Sequence, residues 1–206
     1  MEFNPITILP SGGKAPKGLL VLLHGWGANA MNLAGLASCL ELPDDYQFVF
    51  PNAPFPHFQV PEGRAWYALE TEQFLGLQDS RQALQEWLKT LADGTGFPPS
   101  QTILGGFSQG GAMTLDVGRS MGFAGLMSLS GYLHFDPGLN EESKVTSPVL
   151  IVHGNQDRVV PLTAGWQARD YFQKNHAQVQ YHELEMGHEI PPDVWRIIRE
   201  FVLETL

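Results

Sequence analysis

Six short apolar runs punctuate the chain, and longer segments with apolar residues every three or four positions separate them. The runs are GLLVLLHG (18–25), YQFVFPNAP (46–54), TILGGF (102–107), GLMSLSG (125–131), PVLIVHG (148–154) and VQYHEL (179–184). Each has strand length, and GLLVLLHG is apolar at successive positions, as a strand buried on both faces must be. Between them, ANAMNLAGLASCLEL (28–42), LQDSRQALQEWLKTLADG (77–94), QGGAMTLDVGRSM (109–121) and AGWQARDYFQKNHA (164–177) have helical spacing. Leu77, Leu84, Leu88 and Leu91 recur at helical intervals, and Gly94 is the expected stop. The chain closes with PPDVWRIIREFVLETL (191–206), an amphipathic helix opened by proline. Strands alternating with helices predict parallel pairing through right-handed crossovers, hence a three-layer α/β sandwich around a mostly parallel sheet. No repeat or linker interrupts the pattern, so residues 1–206 are expected to form a single domain. The one long irregular stretch is NAPFPHFQVPEGRAW (52–66), and long loops in compact domains often carry function.

One segment breaks the pattern. GGFSQGG (105–111) places four glycines around Ser108, between the end of a strand and the start of a helix. G-x-S-x-G in a strand–turn–helix context is a nucleophile elbow, in which Gly106 and Gly110 remove side chains that would collide at the sharp turn. A phosphate-binding loop fits less well, because no Lys-Ser or Lys-Thr closes the run and no G-x-G-x-x-G is followed by an acidic residue at a strand end.

A serine nucleophile needs a base, and the base an orienting acid. Downstream, PVLIVHG runs into NQDRVVP, which puts Asp157 just beyond a strand's C-terminal end, and VQYHEL leads to EMGHEIPP with His188 before the last helix. The order Ser, Asp, His is that of hydrolases built on parallel sheets, and all three would sit on the sheet edge where ligands bind. His24 and His153 are expected to be structural. His134, His176 and His182 fall in segments that look like loop or solvated surface, and His57 lies in the long loop as a candidate substrate contact. Asp136, Glu185 and Asp193 lack the strand-end position of Asp157. HEIPP is not H-E-x-x-H, so no zinc site is expected, and no organic cofactor either. An oxyanion would be held by the backbone N–H of Gln109, at the helix start, and of Trp26, in HGWG.

Composition removes several alternatives. The formal net charge of −10 disfavours nucleic acid and anionic membranes. No run approaches the roughly 18 apolar residues of a membrane span. Cys39 is the only cysteine; it rules out an internal disulfide, suits the cytoplasm and is expected to be a buried small hydrophobe. The expected state is a monomer or homodimer.

LLHGWG, FPNAP, LGGFSQGGAMTL, LSGYL, VHGNQDRVVP and MGH follow one another in an order and spacing that resemble the phospholipase/carboxylesterase family of α/β hydrolases, from about residue 18 to the end. That family includes bacterial carboxylesterases and acyl-protein thioesterases. The resemblance implies the α/β-hydrolase fold, a Ser108–His188–Asp157 triad and an oxyanion hole of the Trp26 and Gln109 amides. The chain departs from the family at Ala28, where an aspartate is frequent, and in its own aromatic-rich segment 55–76. About 16 residues (132–147) follow GLMSLSG, too few for a large cap domain, which leaves an open site roofed at most by the 52–76 loop. Phe55, His57, Trp66 and Tyr67 are candidate substrate-binding residues there. A carboxylesterase acting on small esters of short or medium acyl chains is the leading expectation. An acyl-protein thioesterase or lysophospholipase is the alternative, and a non-catalytic ligand-binding module the remaining one.

Overall fold

The computed structural model of the protein describes residues 1–13, 15–134 and 144–206. The expected strands form as β2 (Gly18–Leu23), β3 (Tyr46–Phe50), β6 (Thr102–Phe107), β7 (Gly125–Leu129), β8 (Val149–Gly154) and β9 (Val179–Leu184). They join a seven-stranded sheet in the order β1-β3-β2-β6-β7-β8-β9, parallel throughout except for β1 (Ile6–Ile8), which pairs antiparallel with β3. That three-residue edge strand carries too little pattern to register in the sequence.

Alternation along β2 splits the core between the two faces. Leu19, Val21 and Leu23 pack with Leu104, Met113 and Phe172, whereas Leu20 packs with Ile103, Leu150, Ile197 and Phe201 on the other side. Helices α2 (Leu77–Thr95), α3 (Gln109–Gly118) and α4 (Leu162–Lys174) cover the first face. Helices α1 (Ala30–Ala34) and α5 (Pro192–Thr205) lie on the second, α5 burying Val194, Ile197, Ile198, Phe201 and Val202. The three-layer sandwich expected from the hydrophobic pattern is therefore the observed one.

Three boundaries differ from expectation. The helix expected over 28–42 is only α1, five residues long, begun by an Asn29–Asn32 capping box and ended at Gly35; a turn of 3₁₀ helix (Ala37–Leu40) follows. Helix α2 runs through Gly94 and stops at Gly96, whose φ of +78° closes the last turn onto Ala92 O. The 52–66 stretch contains a two-stranded hairpin, β4 (Phe55–Pro56) against β5 (Arg64–Ala65). Asp136 lies outside the described residues. Cys39 is exposed rather than buried, because the 3₁₀ turn that carries it rides on the surface. Among the described residues no helix is long and apolar enough to cross a membrane.

Candidate active site

Strand β6 delivers the chain to Ser108, and α3 leaves from it at once. Ser108 adopts φ 54° and ψ −119°, a conformation disfavoured for a residue with a Cβ and worth on the order of 1–3 kcal/mol of strain. Its N–H donates to Leu129 O at 2.8 Å, which ties the turn to β7. The glycines explain how α3 comes so near: a Cβ on Gly106 would overlap the Gly110 backbone, and a Cβ on Gly110 would overlap the Leu23 carbonyl. The strained turn is thus held by contacts between a buried helix and the central strands.

The three residues singled out for nucleophilic chemistry converge. His188 Nε2 lies 2.9 Å from Ser108 Oγ, and His188 Nδ1 lies 2.7 Å from Asp157 Oδ2. Asp157 Oδ1 accepts the N–H groups of Val159 (2.8 Å) and Val160 (2.9 Å). Burial by itself works to raise the Asp157 pKa, but the bonds from His188, Val160 and Val159 outweigh it and hold the carboxyl below its ordinary value. An ionised Asp157 accepts the Nδ1 proton and leaves the Nε2 lone pair facing Ser108. His153, buried beside this loop, contacts Val160 O through Nε2 at 3.0 Å, which makes it a brace.

The loop expected to supply the second oxyanion donor is fastened backbone to backbone. Gly27 N–H donates to Arg64 O (2.9 Å) and Arg64 N–H to Ala28 O (2.8 Å), so β5 zips along residues 27–28. Among the described residues the Trp26 and Gln109 N–H groups have no acceptor, which leaves both free to bind an incoming oxygen. Two side chains fix the turn behind them. His24 Nε2 accepts Ala53 N–H at 3.0 Å and its Nδ1–H donates to Gly25 O at 2.7 Å, while Arg64 donates to Ala53 O (2.8 Å) and Pro54 O (2.7 Å). Burial and, more weakly, the Arg64 charge lower the His24 pKa to about 4 against the Gly25 bond, so the ring is neutral, as its acceptor role requires.

An open groove of about 390 Å³ borders this loop, with Trp26, Phe55, His57, Phe58, Tyr67 and Leu75 among its walls. Phe55 and His57 therefore stand where a substrate could meet them, and Tyr67 borders the groove only from a fully buried position. Trp66 does not: it is fully buried, packs on Phe3 and His24, and donates its indole N–H to His24 O at 2.9 Å. Both side chains belong to the same buried cluster, and of the two Tyr67 alone borders the groove, so the expectation of a substrate contact at Trp66 is corrected to one of support.

The Tyr67 hydroxyl meets Tyr132 Oη, and His134 Nε2 lies 2.7 Å from it. His134 Nδ1 reaches Asp116 Oδ2 at 3.3 Å, and Arg81 pairs with the same carboxylate at 2.7 Å. His134 was expected on a solvated surface; its side chain is fully covered, because this network needs a partner between α3 and Tyr67.

The side chain of Gln109 escaped the sequence reading, which used only its N–H. Its Oε1 accepts Trp66 N–H and its Nε2 donates to Tyr67 O, each at 2.9 Å, pinning the groove segment to the helix that carries the nucleophile turn. Arg64 was missed too. Both act on backbone groups far away in sequence, and no spacing signals that.

Comparison with known proteins agrees with the geometry. The phospholipase/carboxylesterase family model matches residues 4–206. Acyl-protein thioesterase 1 of Saccharomyces cerevisiae is 30% identical over 212 residues, which span 91% of this chain and 92% of that one. Acyl-protein thioesterase 1 homolog 2 of Dictyostelium discoideum is 31% identical over 159 residues, 69% of this chain and 68% of its own. Among solved structures, esterase PE8 superposes with a TM-score of 0.88 at 29% identity over 100% of both chains. A Bacillus cereus carboxylesterase gives 0.84 at 15% identity over 99% of this chain and 95% of its own, a likeness of fold alone.

Proposed function

Because the chain belongs to the phospholipase/carboxylesterase family and is a serine hydrolase of α/β-hydrolase fold, we propose that it is a carboxylesterase that cleaves short- and medium-chain acyl esters through Ser108, His188 and Asp157. The observation that carries this reading is the unbroken hydrogen-bond chain from Ser108 Oγ through His188 to Asp157, set on a strained turn beside two unpaired amides. In the first half-reaction Ser108 Oγ attacks the carbonyl carbon as His188 Nε2 takes its proton. The Trp26 and Gln109 N–H groups hold the oxyanion, and Asp157 stabilises the imidazolium. His188 then protonates the departing alcohol oxygen, and the carbon–oxygen bond breaks to leave an acyl-Ser108. Water, activated by His188, hydrolyses that ester in the second half-reaction and restores Ser108.

The groove beside Trp26 takes the acyl chain. It is open along its length and mostly apolar, with Phe55, Phe58 and Leu75 as walls, and this supports esters of modest chain length. The thioesterase names of the relatives favour acyl thioesters as the second reading, since the same machinery cleaves either bond. A fluorophosphonate should label Ser108 once per chain, and Ser108→Ala should abolish both labelling and turnover while keeping the fold. Wild-type kcat/KM on p-nitrophenyl esters from acetate to palmitate, beside an acyl-thioester series, separates the readings. A folded wild-type protein that takes no label ends the catalytic assignment; a peak on long thioesters replaces the carboxylesterase reading with the thioesterase one.

A further inference from the structure

A second groove, of about 250 Å³, is lined by His188. It runs from His188 past Gly25 and Ala28 to Leu33, Leu36, Phe107 and Ile190. It shares no lining residue with the groove beside Trp26, whose walls do not include His188. If Ser108 is the nucleophile, tetrahedral geometry assigns the two grooves different parts of the substrate. With the oxygen held by the Trp26 and Gln109 amides, the leaving oxygen must face His188 Nε2 to be protonated by it. Whatever that oxygen carries then extends along the His188 side, while the acyl chain extends past Trp26.

Resting on the esterase reading above, we propose that this groove is the leaving-group subsite and that it selects uncharged, apolar alcohols of about butyl to hexyl or aryl size. The lining supports the class. Leu33, Leu36, Phe107 and Ile190 offer aliphatic and aromatic surface, and Phe107 itself packs on the His188 ring at a centroid distance of 4.8 Å. Besides His188 and the buried His24, the polar side chains at the groove are Asn32 and Glu189, both exposed. Among the described residues no Lys or Arg lines it, so a phosphate-bearing leaving group would meet Glu189 with neither to pair it. Ala28 completes the apolar character with its methyl group.

A series of butyrate esters with one acyl group and different alcohols tests the assignment. Wild-type kcat/KM, followed by pH-stat, should rise about thirtyfold from methyl to hexyl butyrate, since each added methylene fully removed from water is worth about fourfold and a groove open on one side covers about half of that surface. Leu36→Asp and Ala28→Asp should each bring the hexyl-to-methyl ratio close to one; reading a ratio cancels any general loss of activity. The acyl series from ethyl acetate to ethyl hexanoate should keep its wild-type profile in both variants. A wild-type ratio near one overturns the proposal, as does a ratio that neither variant changes. Variants that flatten the acyl series instead would put the acyl chain in this groove and also overturn it. Absence of fluorophosphonate labelling, by contrast, removes the catalytic reading itself and the subsite with it.

Discussion

Gln109→Leu isolates the side chain that joins the groove to the nucleophile helix. Gln109 is fully buried, and its amide satisfies two backbone groups, Trp66 N–H and Tyr67 O, each at 2.9 Å. Leucine has nearly the same volume, so the cavity term is small and the hydrogen-bond term dominates. Each backbone group left buried without a partner costs about 1–3 kcal/mol, which puts the loss at about 4 kcal/mol for the pair. At roughly 2–4 °C per kcal/mol for a chain of this size, the melting temperature should fall by about 12 °C. Urea denaturation with a shared m-value checks the same number independently. The variant keeps the Gln109 N–H, so fluorophosphonate should still label Ser108 in the fraction that is folded. A fall of less than about 2 °C, corresponding to well under 1 kcal/mol, would mean that the 66–67 segment relaxes to other partners and that the clamp is not what holds it.

Three further outcomes follow from the same contacts. Gly110→Ala should force α3 away from β2, because the new Cβ overlaps the Leu23 carbonyl; about 3 kcal/mol or more of stability should be lost, read by urea denaturation, together with most of the labelling of Ser108. Between about pH 6.5 and pH 4 the unfolded chain protonates His24 and the folded chain does not, so stability should be full above that window and should fall by about 3 kcal/mol as the pH drops through it. A His24→Gln variant should lack this increment in pH-dependent denaturation, and an unchanged pH slope would refute the neutral-acceptor role. Cys39, being exposed and absent from both grooves, should alkylate with one equivalent of iodoacetamide in the folded protein without loss of esterase activity.

Much of the site was legible because its chemistry sits at the ends of strongly patterned elements. Apolar runs located β6, β8 and β9, and the residues just past their C-terminal ends were Ser108, the Asp157 loop and the approach to His188. The elbow also announced itself, since glycines at 106 and 110 have no use in an ordinary strand or helix. Where periodicity was overridden, the reading failed for local reasons. Helix α1 stopped at Gly35 despite an apolar pattern that continued, and α2 continued through Gly94 because that position faces open space where a glycine costs only propensity. Side chains that bond to groups distant in sequence were illegible altogether. Gln109 meets residues more than 40 positions earlier, Arg64 grips the 53–54 turn, and His134 joins Tyr67 to Asp116; none of these pairings leaves a spacing in the sequence.

These two classes of residue divide the work of the site. Ser108, His188 and Asp157 are held by the sheet: the Ser108 turn is bonded to β7, and the acid loop springs directly from β8. The Trp26 amide is different. It hangs on the zipper between residues 27–28 and Arg64, and Arg64 in turn hangs on the 53–54 turn that His24 grips from the other side. Oxyanion stabilisation acts in the transition state, so what those supporting residues hold in place bears on kcat more than on substrate binding. The same hairpin that steadies the amide also walls the groove beside Trp26, through Phe55, Pro56 and Ala65. Under the proposed function, changes in the 52–66 segment that reshape the groove beside Trp26 should thus act on the Trp26 amide as well. In the proposed leaving-group groove, Leu33 and Leu36 lie on α1 and the turn after it, outside that hairpin, so changes there should alter leaving-group preference separately from turnover, whereas Ala28, bonded to Arg64, links the two.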